Sequence, residues 1–361
     1  MHGGKAPPWL FSRMKRLAGE IAAVIVEDKG ATELLRRLSD PRWFQAFGCV
    51  LGYDWHSSGL TTVVTGALRE ALNEMDIGVK VAGGKGKKAL EALEDIGRLG
   101  EELGLTSSRL NELKYASRMA AKVDNVALQD GYVLYHHSMV FTERGEWVVI
   151  QQGMDISSKY ARRYHWLSEK VYSFVEEPHS GIISARAGGR VLNMVAKESE
   201  GARKVSVDLV KEGLTRLKRL LKSLRGAGNL TLARWTGGSG PSEIPPSYLF
   251  MPKRVDWEAL KRAYEFQPSN YEELLSVRGI GGAVVRGLAL ISQLIYGEPP
   301  SWADPAKFSF AFGGKDGVPY PVDVKAMDRA IAYLREAIEA AEVGMREKLE
   351  ALRRLSALAP D

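Results

Sequence analysis

The chain is poor in cysteine, in histidine and in long apolar runs, and each shortage excludes something. One cysteine, Cys49, in 361 residues excludes a disulfide framework within the chain and any zinc site built on paired cysteines. No stretch of about 18 uncharged apolar residues occurs, so no membrane span is expected. The N-terminus, MHGGKAPPWLF, has neither the charged region nor the apolar core of a secretory signal. A cytoplasmic setting is therefore expected, without a membrane partner. Histidine appears six times, at His2, His56, His136, His137, His165 and His179, all in the first half. No internal repeat of any period is visible.

What is present describes a folded chain with room for two or three domains. Hydrophobic residues make up 45%, and the formal charge of +6 favours a polyanionic partner only weakly over this length. Apolar spacing of three and four predicts helices over 9–28, 31–38, 42–50, 60–75, 86–103 and 106–121. Gly78–Val81 reads as a short strand. Two aromatic and β-branched runs, 132–141 and 146–152, flank the turn TERG and predict a β-hairpin. Irregular structure is expected from there to about 195, then a basic helix over 200–225. Residues 226–247 are rich in Gly, Pro and Ser, as at a domain boundary or surface loop. Beyond them 256–264, the segment 271–295 and 323–356 read as helical. The expected fold is α+β: a mixed, catalytic domain over 1–245, then an all-helical domain over 246–361. A homo-oligomer is compatible with this sequence.

Residues 271–295, YEELLSVRGIGGAVVRGLALISQLI, read as helix, glycine turn, helix. Gly279 and Gly281 remove β-carbons where a phosphate would approach, and Ile280 between them is an apolar plug. The following helix would aim its first N–H groups at the same place. The pattern resembles the helix-hairpin-helix motif of DNA repair and replication proteins, with Gly282 where many members carry Pro. The resemblance implies DNA binding with little sequence specificity. The plain alternative is a glycine-linked helix pair packed in a core.

Three clusters in the first half carry candidate chemistry. In FGCVLGYDWHSSGLTT (47–62), Asp54 and His56 stand two apart and on an extended segment share a face, able to hold a metal or pass a proton; a turn with a surface histidine reads equally. The hairpin holds Asp130, His136, His137 and Glu146. Adjacent His136 and His137 face opposite sides of a strand, so one at most serves a given site. The acidic residue before one strand and Glu-x-Val-x-Ile-Gln on the next resemble nucleases that bind Mg²⁺ through strand carboxylates, although Gln151 stands about where those carry Lys. The third group, KYARRYHW (159–166), interleaves Lys159, Arg162 and Arg163 with aromatics, as phosphate contact with base stacking would need. On the later basic helix Arg216, Arg219 and Lys222 fall near one face, spaced to follow a phosphate backbone or simply solvated.

Two wider resemblances follow. HGGKAP at the N-terminus, FGCVLGYDWHSSGLTT, the IQQGMD and ARRYHW blocks and FGGKDGVPYPVD together resemble an uncharacterised, mainly archaeal family of unknown function. Residues 317–331, GVPYPVDVKAMDRAI, are similar to the closing segment of helix-hairpin-helix DNA glycosylases, which implies a catalytic role for Asp323 at a helix N-terminus. Asp323 lies 42 residues beyond Gly281, a longer gap than in those enzymes, and helix capping is the simpler role. The leading expectation is a DNA-processing phosphodiesterase, a nuclease dependent on Mg²⁺ or Mn²⁺. Asp54, His56, Asp130, His136 and Glu146 would hold metal, with Asp54, His56 and His136 activating water. A glycosylase-like enzyme using Asp323 and a non-catalytic DNA-binding or scaffold protein are the alternatives.

Overall fold

The computed structural model describes residues 8–53, 59–184, 189–226, 252, 254–309 and 324–356. Its frame is a six-stranded sheet in the order β1 (Val79–Lys85), β3 (Val133–Thr142), β4 (Trp147–Met154), β5 (Ala161–Leu167), β6 (Gly181–Ser184) and β9 (Phe308–Ser309). All neighbours are antiparallel except β6 and β9, which run parallel. A small second sheet joins β2 (Leu128–Gln129), β7 (Arg190–Asn193) and β8 (Ser301–Ala303). The fold is α+β, and the hairpin expected at 132–152 is the centre of the large sheet.

Both faces of the sheet are covered, which explains why β4 and β5 are buried along nearly their whole length. On one face Val79, Val81, Val140, Val148, Ile150 and Leu167 meet α1 (Pro8–Lys29), α2 (Ala31–Ser39), α3 (Pro41–Val50) and α4 (Leu60–Leu72). Asp40 caps α3 by accepting the N–H groups of Arg42 and Trp43, with Pro41 in the first turn, so the chain reverses sharply between α2 and α3. The opposite face presents Ala82, Met139, Phe141, Val149, Tyr164 and Trp166. The short α5 (Lys87–Leu90) leads to α6 (Ala92–Glu102) and α7 (Ser107–Lys122), and α6 and α7 join that core together with α8 (Glu200–Lys211) and α9 (Leu214–Gly226).

Both expected parts of the chain, 1–245 and 246–361, contribute to both cores. α10 (Trp257–Phe266), α11 (Tyr271–Ser276) and α12 (Gly282–Tyr296) pack with α7, α8 and α9 on the second face. α13 (Val324–Ala340) and α14 (Met345–Ser356) instead pack with α1 and α3 on the first. No helix among the described residues is long and apolar enough to cross a membrane.

Candidate functional site

A row of polar side chains crosses the sheet on the α3–α4 side. Pairing registers Lys85 with His136, His136 with Gln152, and Gln152 with Arg163, and a bulge between Leu134 and His136 re-aims the strand just before the histidine. His136 is 1% exposed. Its Nε2 lies 3.1 Å from Thr65 Oγ1, and that hydroxyl already donates to the Thr61 carbonyl at 2.8 Å. Thr65 therefore accepts, His136 donates from Nε2, and the Nδ1 lone pair is left open. Among the described residues Nδ1 has no hydrogen-bond partner. Burial, with small contributions from His137 and Lys85, pushes the imidazole down to about 3, so it is neutral at ordinary pH.

Arg163 is held beside this row. It donates to Thr61 Oγ1 (3.2 Å), the Pro41 carbonyl (3.2 Å), Gln45 Oε1 (3.1 Å) and His165 Nε2 (2.8 Å), and lies over the Phe44 ring. His165 can accept at Nε2 because Nδ1 faces the Leu38 carbonyl at 3.0 Å and must carry the proton. Burial lowers the guanidinium to about 9 and the His165 imidazole well below its ordinary value. Gln152 donates to the Tyr135 hydroxyl, and Tyr53 lies near enough to act on the Tyr135 ionisation. Asp54 and His56 themselves lie outside the described residues, as does Asp323.

The opposite face carries a saturated network. Ser117 Oγ is 2.8 Å from His137 Nε2, and His137 Nδ1 is 2.9 Å from Gln151 Oε1. Gln151 donates to Asp124 Oδ2, which also accepts from Trp166 Nε1, while His179 Nε2 meets Asp124 Oδ1 at 2.5 Å. Asp124 is fully buried in a π-helical turn, Val123–Ala127. Nearby, Arg162 bridges Asp130 (2.9 Å) and Asp304 (2.7 Å), and Tyr164 donates to Asp130 at 2.7 Å.

These placements correct several expectations. Asp130 does not join His136: its carboxylate is neutralised by Arg162, whose side chain leaves the other face of the sheet. Glu146 accepts from Thr32 and Thr142 at the far end of the hairpin, about 20 Å of strand from His136. Among the described residues no group of three or more His, Cys, Asp or Glu side chains is placed to hold a metal. Lys159, Arg162 and Arg163 form no common phosphate grip either. Lys159 is exposed in the turn before β5, while Arg162 and Arg163 are buried on opposite faces by strand alternation.

The helix pair at 271–295 forms as expected. Asn270 caps α11 by accepting from the Glu273 N–H at 2.9 Å. Val277 to Ile280 closes a turn through Ile280 N–H to the Val277 carbonyl, with Gly279 at φ +92° in its third position, and Ile280 is 0% exposed. A Cβ on Gly279 would stand 2.6 Å from Arg262 and 2.9 Å from Ala259, so this glycine is required by the protein's own packing. Gly281 differs. It occupies the N-cap of α12 at φ −115°, ψ 178°, contributes no side-chain cap, and among the described residues a Cβ there would meet only the Gly279 carbonyl oxygen at 3.8 Å. The first turn of a 15-residue helix is thus left without an acceptor from its cap residue. Gly282 is partly internal, since Gln129 donates to its carbonyl at 2.8 Å.

Around the hairpin lie exposed Arg278, Arg262 donating to the Arg278 carbonyl, and Lys122 reaching the Val277 carbonyl at 3.5 Å. Helix α9 packs on α10 and α12 with Arg219 and Lys222 exposed. Arg216 is engaged by Glu212 and the Tyr296 hydroxyl, both at 2.9 Å. Sequence reasoning passed over Thr65, Asp124 and Asp304; only the helical spacing of Thr61 and Thr65 on α4 signals that they share a face. Of the loop expected at 226–247, Gly226 ends α9 and 227–247 lie outside the described residues.

A family model described as a protein of unknown function (DUF763) matches residues 1–322, and the chain belongs to that family. No curated protein and no solved structure matches it.

Proposed function

We propose that this member of the family binds DNA through its backbone, with the 277–283 turn as the grip and α9 as a flanking basic surface, in the cytoplasm. The carrying observation is the N-terminus of α12, where the cap residue is a glycine that no packing against the described residues demands. Ser, Thr, Asp or Asn at this position would close the helix start with a side-chain acceptor, whereas glycine leaves those N–H groups to another acceptor. Here the open first turn, the exposed Gly279 and Arg278 and the cations of α9 supply what a phosphate needs and no base-reading group, so affinity would be salt-sensitive and nearly sequence-independent. Fluorescence anisotropy of a labelled duplex over a salt series tests it. Tight binding at low salt that weakens steeply with salt is expected; no binding at low salt would refute it.

The second reading is hydrolysis of the phosphodiester backbone with a divalent metal, and His136 favours it. A neutral imidazole whose Nε2–H is fixed by Thr65 and whose Nδ1 has no hydrogen-bond partner among the described residues is suited to act as a metal ligand or proton acceptor. The remaining ligands would be Asp54 and His56. Labelled single-stranded and duplex DNA incubated with Mg²⁺, Mn²⁺ or EDTA tests this reading. Metal-dependent cuts absent from His136→Ala support it; cuts that persist in that variant refute the assignment of His136.

A further inference from the structure

A trough beside the helix pair is built to take a planar ring. One turn of α7 presents Asn111, Glu112 and Tyr115 towards Trp147 at the start of β4 and Phe174 in the segment after β5, enclosing about 520 Å³. Phe174 lies parallel to Trp147, with centroids 6.2 Å apart and 9° between planes, and Tyr115 meets Phe174 edge-on at 5.7 Å. These contacts fix the aromatic wall before any ligand arrives. Its rim is polar: the exposed Asn111 amide offers donors and an acceptor, and Glu112, paired through one oxygen with Arg109, retains the other. A neighbouring hollow of about 320 Å³ shares Glu112, Trp147 and Ser168 and adds Arg109 and the exposed Arg144.

We infer that this trough holds a single unstacked nucleobase of DNA bound at the 277–283 turn, an inference that rests on the DNA-binding reading. The aromatic wall takes the face of the base, Asn111 and Glu112 take its hydrogen-bonding edge, and Arg144 lies where the adjoining phosphate would emerge. An aliphatic ligand would leave the rim groups unused. The trough is also coupled to the grip: Tyr115 donates to Glu272 of α11 at 2.7 Å, and the same helix ends at Lys122, which reaches the Val277 carbonyl. From Asn111 to Lys122 the helix rises about 17 Å, or about five base-pair steps. One bound duplex could thus place a phosphate on the turn and an extruded base in the trough.

The test compares a perfect duplex with the same duplex carrying one bulged 2-aminopurine, by anisotropy and by the fluorescence of that base. The wild-type protein is expected to favour the bulged duplex about tenfold, as stacking of one base supplies, and to quench the 2-aminopurine on binding. Asn111→Trp, a change at an exposed position that fills the mouth, should bring the ratio of the two affinities to about one and abolish the quenching. Asn111→Ala should lower the ratio while quenching survives. Equal affinity for the two duplexes with unquenched 2-aminopurine overturns the trough assignment and leaves the DNA-binding reading standing. Failure to bind either duplex overturns both. Saturable tryptophan quenching by choline, without any response to the bulge, would reassign the trough to a cationic ligand.

Discussion

Gly281→Asp separates folding from binding, because its two expected effects have opposite signs. The backbone at 281 is already in the extended conformation that N-cap residues adopt, and a new Cβ has open space. An aspartate there would accept from the N–H groups of the first turn and place a negative charge at the positive end of α12. Capping adds a few tenths of a kcal/mol over glycine, and the dipole about 0.3–1 kcal/mol more. The folded state should therefore gain roughly 0.5–1 kcal/mol in a urea titration. The same carboxylate would sit about 5 Å from a bound phosphate. With an effective dielectric between bulk water and a protein surface, the repulsion is about 1–3 kcal/mol, or ~5- to 150-fold in Kd. Gly281→Asn supplies the cap without the charge and should bind within a few-fold of wild type. Anisotropy on the perfect duplex at low salt reads all three proteins. An aspartate variant that is more stable and binds as tightly as wild type would refute the turn as the phosphate grip.

Other perturbations follow from the same geometry. Gly279→Ala must hold φ near +92° and press on Arg262 and Ala259, so a loss of about 1–3 kcal/mol is expected in denaturant. Asp304→Ala removes one of two carboxylates from buried Arg162; about 3 kcal/mol of stability should be lost, with DNA affinity unchanged because Arg162 touches no phosphate. His136, His137 and His165 are all buried with lowered pKa values. The unfolded chain therefore binds more protons below about pH 6.5, and stability present above that pH is lost as acid is added. For His136, held down to about 3, the expected loss is roughly 2 kcal/mol by pH 5, with His137 and His165 adding in the same direction, and a flat stability profile from pH 7 to 5 would contradict neutral burial. His136→Gln keeps an acceptor near Nδ1 but offers a poorer metal ligand; weakened Mn²⁺ binding in calorimetry is expected, and unchanged binding would remove His136 from any metal site.

Much of this fold was legible because the elements that show amphipathic spacing obey it. Helices at 31–38, 42–50 and 106–121, the strand pair around TERG and the glycine turn at 279–281 all form where periodicity or turn chemistry placed them. The strand β5 was not legible. ARRYHWL alternates Arg162, Tyr164 and Trp166 with Arg163, His165 and Leu167, and every one is buried, so no apolar–polar alternation marks a solvent face. Charged and aromatic residues that read as a phosphate-binding surface are instead the polar interior of a sheet covered on both sides. Their partners, Asp130, Asp304, Gln45 and the Pro41 carbonyl, come from distant parts of the chain, and nothing local in the sequence announces them. For the same reason the metal set proposed from Asp130, His136 and Glu146 dissolved: sequence proximity on a hairpin says nothing about which face or which end each side chain occupies.

The two faces also constrain how binding and chemistry could be joined. Ile280, between the hairpin glycines, belongs to the core on the face where His137 meets Gln151 and Ser117, while the His136 ring meets Thr65 of α4 across the sheet. Each helical layer stands about 10 Å from the strands it covers. A phosphate held at Gly281 is thus separated from the His136 lone pair by the sheet and at least one packed layer. No single phosphate can satisfy both. The grip can therefore act without the histidine, as a binder would need. If the histidine serves DNA at all, it must meet a different stretch of backbone, led around an edge of the sheet. The His136 Nδ1, without a partner among the described residues, on one face and the helix start without a side-chain cap on the other are independent features, and their variants should separate affinity from cleavage.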